Sequence, residues 1–251
     1  MTYQPRFVSE CASAADRVRD RSLKANNMRL VKRLAALALV QFFAVAAAPA
    51  GGIIVLGDSM TGGGAKGAAK VSNRWQAWPY KLGLPASKVR NLAVWGSGYT
   101  NGEHNFMIAG LEADKLRASD ALLFVWGGYW DICKGRKTGE ELFAAFEAWL
   151  AARVAAGWAY KQIVVLTIIE AGDGCFFGPR MPVEDYDARR KAFNLRVASK
   201  GAELGFRVVR LDLDPRLGVR GASSKNIYFK DKVHPRDLGQ TVVAELVRDG
   251  F

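Results

Sequence analysis

Two short stretches hold residues that could together make a working nucleophile. The first is Gly57-Asp58-Ser59, which ends the aliphatic run Ile53-Ile54-Val55-Leu56. A serine hydroxyl is a poor nucleophile at neutral pH and needs a base to take its proton, usually an imidazole held by a carboxylate. The chain has two histidines. One of them, His234, closes Asp231-Lys232-Val233-His234. A carboxylate three residues before an imidazole in a turn can fold back onto Nδ1–H and leave Nε2 facing a nucleophile. Together the stretches are more informative than either alone, since Ser59 brings a hydroxyl, His234 a candidate base and Asp231 a carboxylate able to orient it. Each alone has a plainer account: Ser59 as a helix N-cap after a strand, and the Asp231–His234 spacing as a surface turn. The other histidine, His104 in Asn101-Gly102-Glu103-His104-Asn105, reads as a surface residue. Neither a metal nor a nucleotide cofactor is expected. The histidines and carboxylates lack ligand spacing, and the glycines after Gly57 fit neither phosphate-binding pattern, G-x-x-x-x-G-K-[ST] or G-x-G-x-x-G.

Such residues must be held by a frame, and the hydrophobic pattern describes one. Runs at 53–56, 89–94, 121–126, 163–169 and 207–211 are dense in aliphatic residues without polar alternation, as expected of strands buried on both faces in a parallel sheet. Amphipathic stretches at 73–82, 103–116, 140–156 and 184–204 alternate with them, the last followed by Gly205 as a helix C-cap. A final helix is expected over 235–248, with Pro235 in its first turn, where a missing N–H costs little. The alternation predicts one three-layer α/β/α domain over residues 51–251. Ligands of open parallel sheets gather outside the carboxyl ends of the strands, which is where Gly57-Asp58-Ser59 lies.

With these residues in place the chain resembles the SGNH, or GDSL-type, esterase and lipase family. Gly57-Asp58-Ser59-Met60 matches that family's first block, Asn91-Leu92-Ala93-Val94-Trp95-Gly96 resembles its second, and Asp231 with His234 matches its last. The resemblance implies a flavodoxin-like five-stranded parallel sheet of order 2-1-3-4-5 and a Ser59-His234-Asp231 triad. It also implies an oxyanion hole built from the N–H groups of Ser59 and Gly96. The third block departs from the family pattern. G-x-N-D falls at Gly128-Tyr129-Trp130-Asp131, so Trp130 stands where an asparagine amide normally donates to the oxyanion. Three readings follow: the indole N–H substitutes; two backbone donors suffice and the indole forms a pocket wall; or the protein is a weak or inactive relative that binds glycans. Among these the second accords best with a triad kept whole.

Composition bounds the setting. The 251 residues are half apolar and about a quarter charged, ordinary for a globular chain with a sizeable core. The net charge of +12 is spread unevenly, residues 1–50 holding eight Lys/Arg against three Asp/Glu. No basic block interleaved with aromatics appears, so nucleic acid is not an expected partner, whereas an anionic substrate or envelope surface is compatible. From Met28 a basic start, an apolar run over 34–48 and Ala48-Pro49-Ala50 describe a signal peptide at 28–50. Residues 1–27 ahead of it read as an extension upstream of the natural start. The protein is therefore expected to be exported, periplasmic or secreted, and to touch a membrane only through that segment if it stays uncleaved.

Cys133 and Cys175 follow the third and fourth strands, neighbours in the implied order, and form a candidate disulfide in an oxidising compartment; two unrelated thiols are the alternative. Aromatics gather at the same strand ends: Trp95, Tyr99, Tyr129, Trp130, Phe176, Phe177, Tyr228 and Phe229. Trp95, Tyr129 and Trp130 are expected to line the substrate, and about half of the group to pack under loops instead. The expected substrate is a small-molecule or polysaccharide ester, with acetyl groups on carbohydrate ahead of longer acyl chains on lipids or thioesters.

Overall fold

Five parallel strands pair in the order β2-β1-β3-β4-β5. A computed structural model describes residues 49–62, 76–100, 105–172, 174–175, 180–218 and 227–250, and these belong to one unit, Ala48–Phe251. The expectations for residues 1–27, for all but the last two residues of 28–50, and for His104, Phe176 and Phe177 fall outside the described residues.

β1 (Ile53–Gly57) lies between β2 (Val89–Asn91) and β3 (Leu122–Trp126), with β4 (Ile163–Leu166) and β5 (Arg207–Val209) beyond. Every residue of β1, β3 and β4 is buried, which explains the unbroken aliphatic runs: helices cover both faces of the sheet. The helices are α1 (Phe106–Lys115), the short α2 (Tyr129–Cys133), α3 (Gly139–Ala155), α4 (Val183–Leu204) and α5 (Asp237–Asp249).

Local chemistry sets their ends. Asn105 accepts from the Ile108 N–H at the start of α1, and Thr138 with Glu141 forms a reciprocal capping box at the start of α3. Gly205 ends α4 in the left-handed region at φ 82°, which side chains with a Cβ avoid.

Several boundaries differ from the sequence expectation. The fourth strand ends at Leu166 because Asn194 of α4 takes over the backbone beyond it, accepting from the Ile168 N–H and donating to the Ile168 carbonyl. Among described residues the expected helix over 73–82 is only a 3-10 turn, Trp78–Lys81, with Pro79 in its first turn. Pro235 precedes α5 instead of starting it and faces Phe229 in an isolated bridge, so the helix begins at Asp237. The helix α2 was not anticipated; five residues are too few for a periodic signal.

Candidate active site

The carboxyl end of β1 delivers Ser59. After Gly57 the chain leaves the sheet in a tight turn in which the Asp58 carbonyl accepts from the N–H groups of Thr61 and Gly62. A Cβ at Gly57 would stand 2.2 Å from Thr61 Oγ1, so only glycine lets this turn fold back on the strand. Ser59 is buried and its Oγ lies 2.9 Å from Nε2 of His234, across 175 positions of chain.

His234 comes from a loop closed on itself. The Lys230 N–H donates to the His234 carbonyl, the Arg236 N–H donates to the Tyr228 carbonyl, and Phe229 faces Pro235. Inside that loop Asp231 Oδ1 accepts from the N–H groups of Val233 and His234, both at 2.8 Å, and Oδ2 lies 2.8 Å from His234 Nδ1. With the acid on Nδ1, that nitrogen carries the hydrogen and Nε2 presents its lone pair to the Ser59 hydroxyl. Partial burial opposes the charge on Asp231. The imidazole and the two N–H donors outweigh it and hold the carboxyl down at about 2.

Two residues that sequence reasoning passed over lock this arrangement. Gln240, buried on α5, donates to the Met60 carbonyl at 2.7 Å and accepts from the Trp78 N–H at 2.9 Å. It thus fastens the helix that follows His234 to the turn that carries Ser59. A glutamine on an amphipathic helix gives no signal of such a role in a single sequence. Asp131 is buried and accepts from the Tyr99 N–H at 3.0 Å, the Thr100 N–H at 2.7 Å and the Thr100 hydroxyl at 2.6 Å. A Cβ at Gly98 would collide with its carboxylate at 2.2 Å. The acid ending Gly128-Tyr129-Trp130-Asp131 therefore ties α2 to the loop that carries Gly96. Its place in the third block was the available clue.

Gly96 has φ 78°, a left-handed conformation that glycine adopts without strain. The Trp130 ring lies beside it, 3.9 Å from where a Cβ would be, and packs edge-on against Trp95 with centroids 5.2 Å apart. Of the three aromatics expected to line substrate, Trp95 is 41% exposed, Trp130 5% and Tyr129 2%. Tyr129 packs against Tyr186 of α4 and braces the wall from behind, with almost no surface left for substrate. Tyr99 and Phe229 are likewise buried, Tyr99 against Phe106, Phe146, Trp149 and Phe193 of the helices, while Tyr228 is partly exposed.

Cys133, the last residue of α2, is joined to Cys175 by a disulfide. The loop carrying Cys175 meets the histidine loop through the Gly172 N–H, which donates to the Lys232 carbonyl at 2.9 Å.

Asp58 is a second buried acid at the site. Its Oδ1 accepts from the Met60 N–H at 2.9 Å, and its Oδ2 is buried without a hydrogen-bond partner. Burial pushes this carboxyl up to about 7 against the pull of the Met60 N–H and of His234. Among the described residues no group of three or more His, Cys, Asp or Glu side chains is placed to hold a metal ion. A recess of about 320 Å³ edged by Lys88, Arg90 and Leu116 opens at the amino ends of β1 and β2, the wrong end of the sheet for Ser59. It has no part in this geometry.

The profile of the GDSL-like lipase/acylhydrolase family matches residues 55–242, which includes every residue of the Ser59, Trp130 and His234 segments. No curated protein is significantly similar in sequence. Solved structures share the fold at low identity. One is a member of the lipolytic G-D-S-L family from Veillonella parvula, with TM-score 0.59 and 14% identity, covering 79% of this chain and 97% of that one. A GDSL-like lipase from Bacteroides thetaiotaomicron has TM-score 0.55 and 15% identity, covering 78% and 85%. TesA has TM-score 0.53 and 20% identity, covering 79% and 96%. The chain belongs to the GDSL-like lipase/acylhydrolase family and is, by that membership, a serine ester hydrolase.

Proposed function

We propose that the protein is an exported esterase that removes short acyl groups, acetyl foremost, from carbohydrate. The observation that carries the catalytic part is the unbroken relay from Ser59 Oγ to His234 Nε2, 2.9 Å, and from Nδ1 to Asp231, 2.8 Å. Ser59 Oγ attacks the ester carbonyl while Nε2 takes its proton, and the imidazolium that forms is stabilised by the Asp231 carboxylate. The oxyanion develops toward the N–H groups of Ser59 and Gly96. Collapse of the tetrahedral intermediate breaks the C–O bond to the alcohol, which leaves with the proton returned from Nε2. Water then repeats the sequence on the acyl-serine and releases the acid, restoring Ser59.

Trp130 in this reading forms a wall beside the reacting carbon. A side chain of that bulk next to Gly96 leaves room for a short acyl group, and the exposed face of Trp95 in front of it suits the flat face of a sugar ring. Export is supported by the basic, apolar and small-residue order over 28–50 and by the disulfide, which persists in oxidising compartments. A periplasmic or secreted location follows from that reading.

The test is hydrolysis of p-nitrophenyl esters from acetyl to long acyl by the full chain, with Ser59→Ala alongside. The expected result is turnover that peaks at acetyl and falls by about 10⁴-fold or more in the variant. A peak at long chains would replace the carbohydrate reading with a lipase or thioesterase one, and turnover unaffected by Ser59→Ala would overturn the mechanism.

A further inference from the structure

We infer that the ester is carried on a polyanion, specifically an acidic polysaccharide, held by a collar of cations around the mouth of the site; this rests on the esterase reading above. The collar comes from three segments that the structure ties together beside Ser59. Lys134 and Arg136 directly follow α2, whose Trp130 carbonyl accepts from the N–H groups of Lys134 and Gly135. Arg180 lies in the segment after β4, and its carbonyl accepts from Arg136 Nη2. Lys230 and Arg236 flank Asp231 and His234 in the histidine loop, which is joined to the post-β4 segment at Gly172.

All five of these side chains are exposed, and none has a carboxylate within 4.0 Å among the described residues. Elsewhere, Lys81, Lys115, Arg196, Lys200, Arg210 and Arg216 do have acidic partners, whereas Arg90 and Lys161, exposed at the amino ends of the strands, have none among the described residues; what sets the five apart is their place on the loops at the Ser59 end of the sheet. Nearby acids do not cancel the collar. Among the described acids of these segments Asp231 is engaged by His234, Asp237 by Lys81 and Glu170 by Arg190, which leaves Glu184 and Asp185 in the first turn of α4 against the five cations.

The form of the collar selects the ligand. A single anionic group would be gripped by donors converging in one enclosed pocket. Cations on long stems, spread over three segments and open to water, instead match charges repeated along a chain, and they raise its local concentration by long-range attraction. Trp95, exposed and edge-on to Trp130, supplies a stacking face for the sugar bearing the ester.

The test compares kcat/KM of the full chain on O-acetylated polygalacturonate and on O-acetylated dextran, which is neutral. Salt is raised from roughly 10 mM to roughly 0.5 M, which shortens the screening length from about 30 Å to under about 8 Å. The charged-over-neutral ratio is expected to exceed about tenfold at low salt and to collapse at high salt. That measurement needs no variant. The same ratio is expected to collapse in Lys134→Glu/Arg136→Glu and in Lys230→Glu/Arg236→Glu. It should survive in Arg90→Glu/Lys161→Glu, which makes the same charge change at the amino ends of the strands. A ratio near one, a ratio indifferent to salt, or equal losses from both ends of the sheet would overturn the collar. So would collar variants that lose turnover of esters in phosphatidylglycerol vesicles while keeping it on the polyuronate, which would point to a membrane surface.

Should the chain cleave no ester at all, the esterase reading fails separately. Ser59→Ala titrated with de-acetylated polygalacturonate then decides the collar alone: salt-sensitive binding supports it and no binding refutes it.

Discussion

At the scale of single residues, the site sets two carboxylates of opposite character beside the Ser59–His234 pair, Asp58 in the turn that carries Ser59 and Asp231 on the far side of the imidazole. Asp231 is surrounded by N–H donors and stays charged; Asp58 is enclosed, satisfied at one oxygen only, and is pushed up to about 7 by burial. A buried carboxylate with an unpaired oxygen is costly, and protonation relieves the cost. Because the folded-state value lies above the unfolded value of 3.8, the native state binds the extra proton between those limits. Stability from this group is therefore intact below about pH 4, falls as pH rises toward 7, and is lost above it. About three pH units correspond to something on the order of 4 kcal/mol. Asp58→Asn keeps the shape and cannot ionise, so its melting temperature relative to the parent chain is expected to climb between pH 5 and pH 8. A difference that stays constant over that range would show that Asp58 does not titrate there. The sequence marked Asp58 only as a neighbour of Ser59. Whether it stands charged or neutral depends on what encloses it, which the order of residues does not state.

Among the elements, the informative unit is the set of loops at the carboxyl ends of β3 and β4. The cysteine spacing and the neighbouring of those strands already suggested the disulfide. What it connects was not legible, because α2 is too short to leave a periodic trace and the bond from Gly172 to the histidine loop joins distant backbone atoms. The bridge joins the segment bearing Trp130 to the one that contacts the Asp231–His234 loop. Closing a loop with a sequence separation of 42 stabilises by about 4 kcal/mol in the chain-entropy account. Cys133→Ser/Cys175→Ser is accordingly expected to lower the melting temperature and also to reduce kcat at temperatures where the chain stays folded, since both walls of the site lose their tether. Full activity in a folded double variant would show that the bridge serves stability alone. The helix caps tell the opposite story: Thr138, Asn105 and Gly205 act on bonds within a few residues of themselves, and the boundaries they set agree with the sequence to within a few positions.

For the whole molecule, the proposed mechanism depends on bringing residue 59 and residue 234 together, and the sheet alone does not do it. β1 lies between β2 and β3 in the parallel order and leads into Ser59, while the histidine loop is pressed onto it by α5 through Gln240, which reaches the Met60 carbonyl and the Trp78 N–H at once. One continuous core of buried residues runs from Ile53 to Val247. Tryptophans 78, 126, 149 and 158 are all buried and all belong to it. Activity and tryptophan fluorescence are therefore expected to be lost at the same denaturant concentration. Activity that disappears well before the fluorescence change would mean that the α5 end opens as a unit of its own. The sequence by itself determined the strands, since burial on both faces demands runs of aliphatic residues. It also determined the candidate chemistry, since a serine needs a base and the chain holds few histidines. Only the tertiary structure decided that Asp231, His234 and Ser59 stand in hydrogen-bonding order, that Tyr129 braces and Trp95 faces solvent, and that Asp58 is shut away from water. Those outcomes depend on contacts between segments far apart in the chain, whose distances and enclosure come into being only when the sheet and its helices pack.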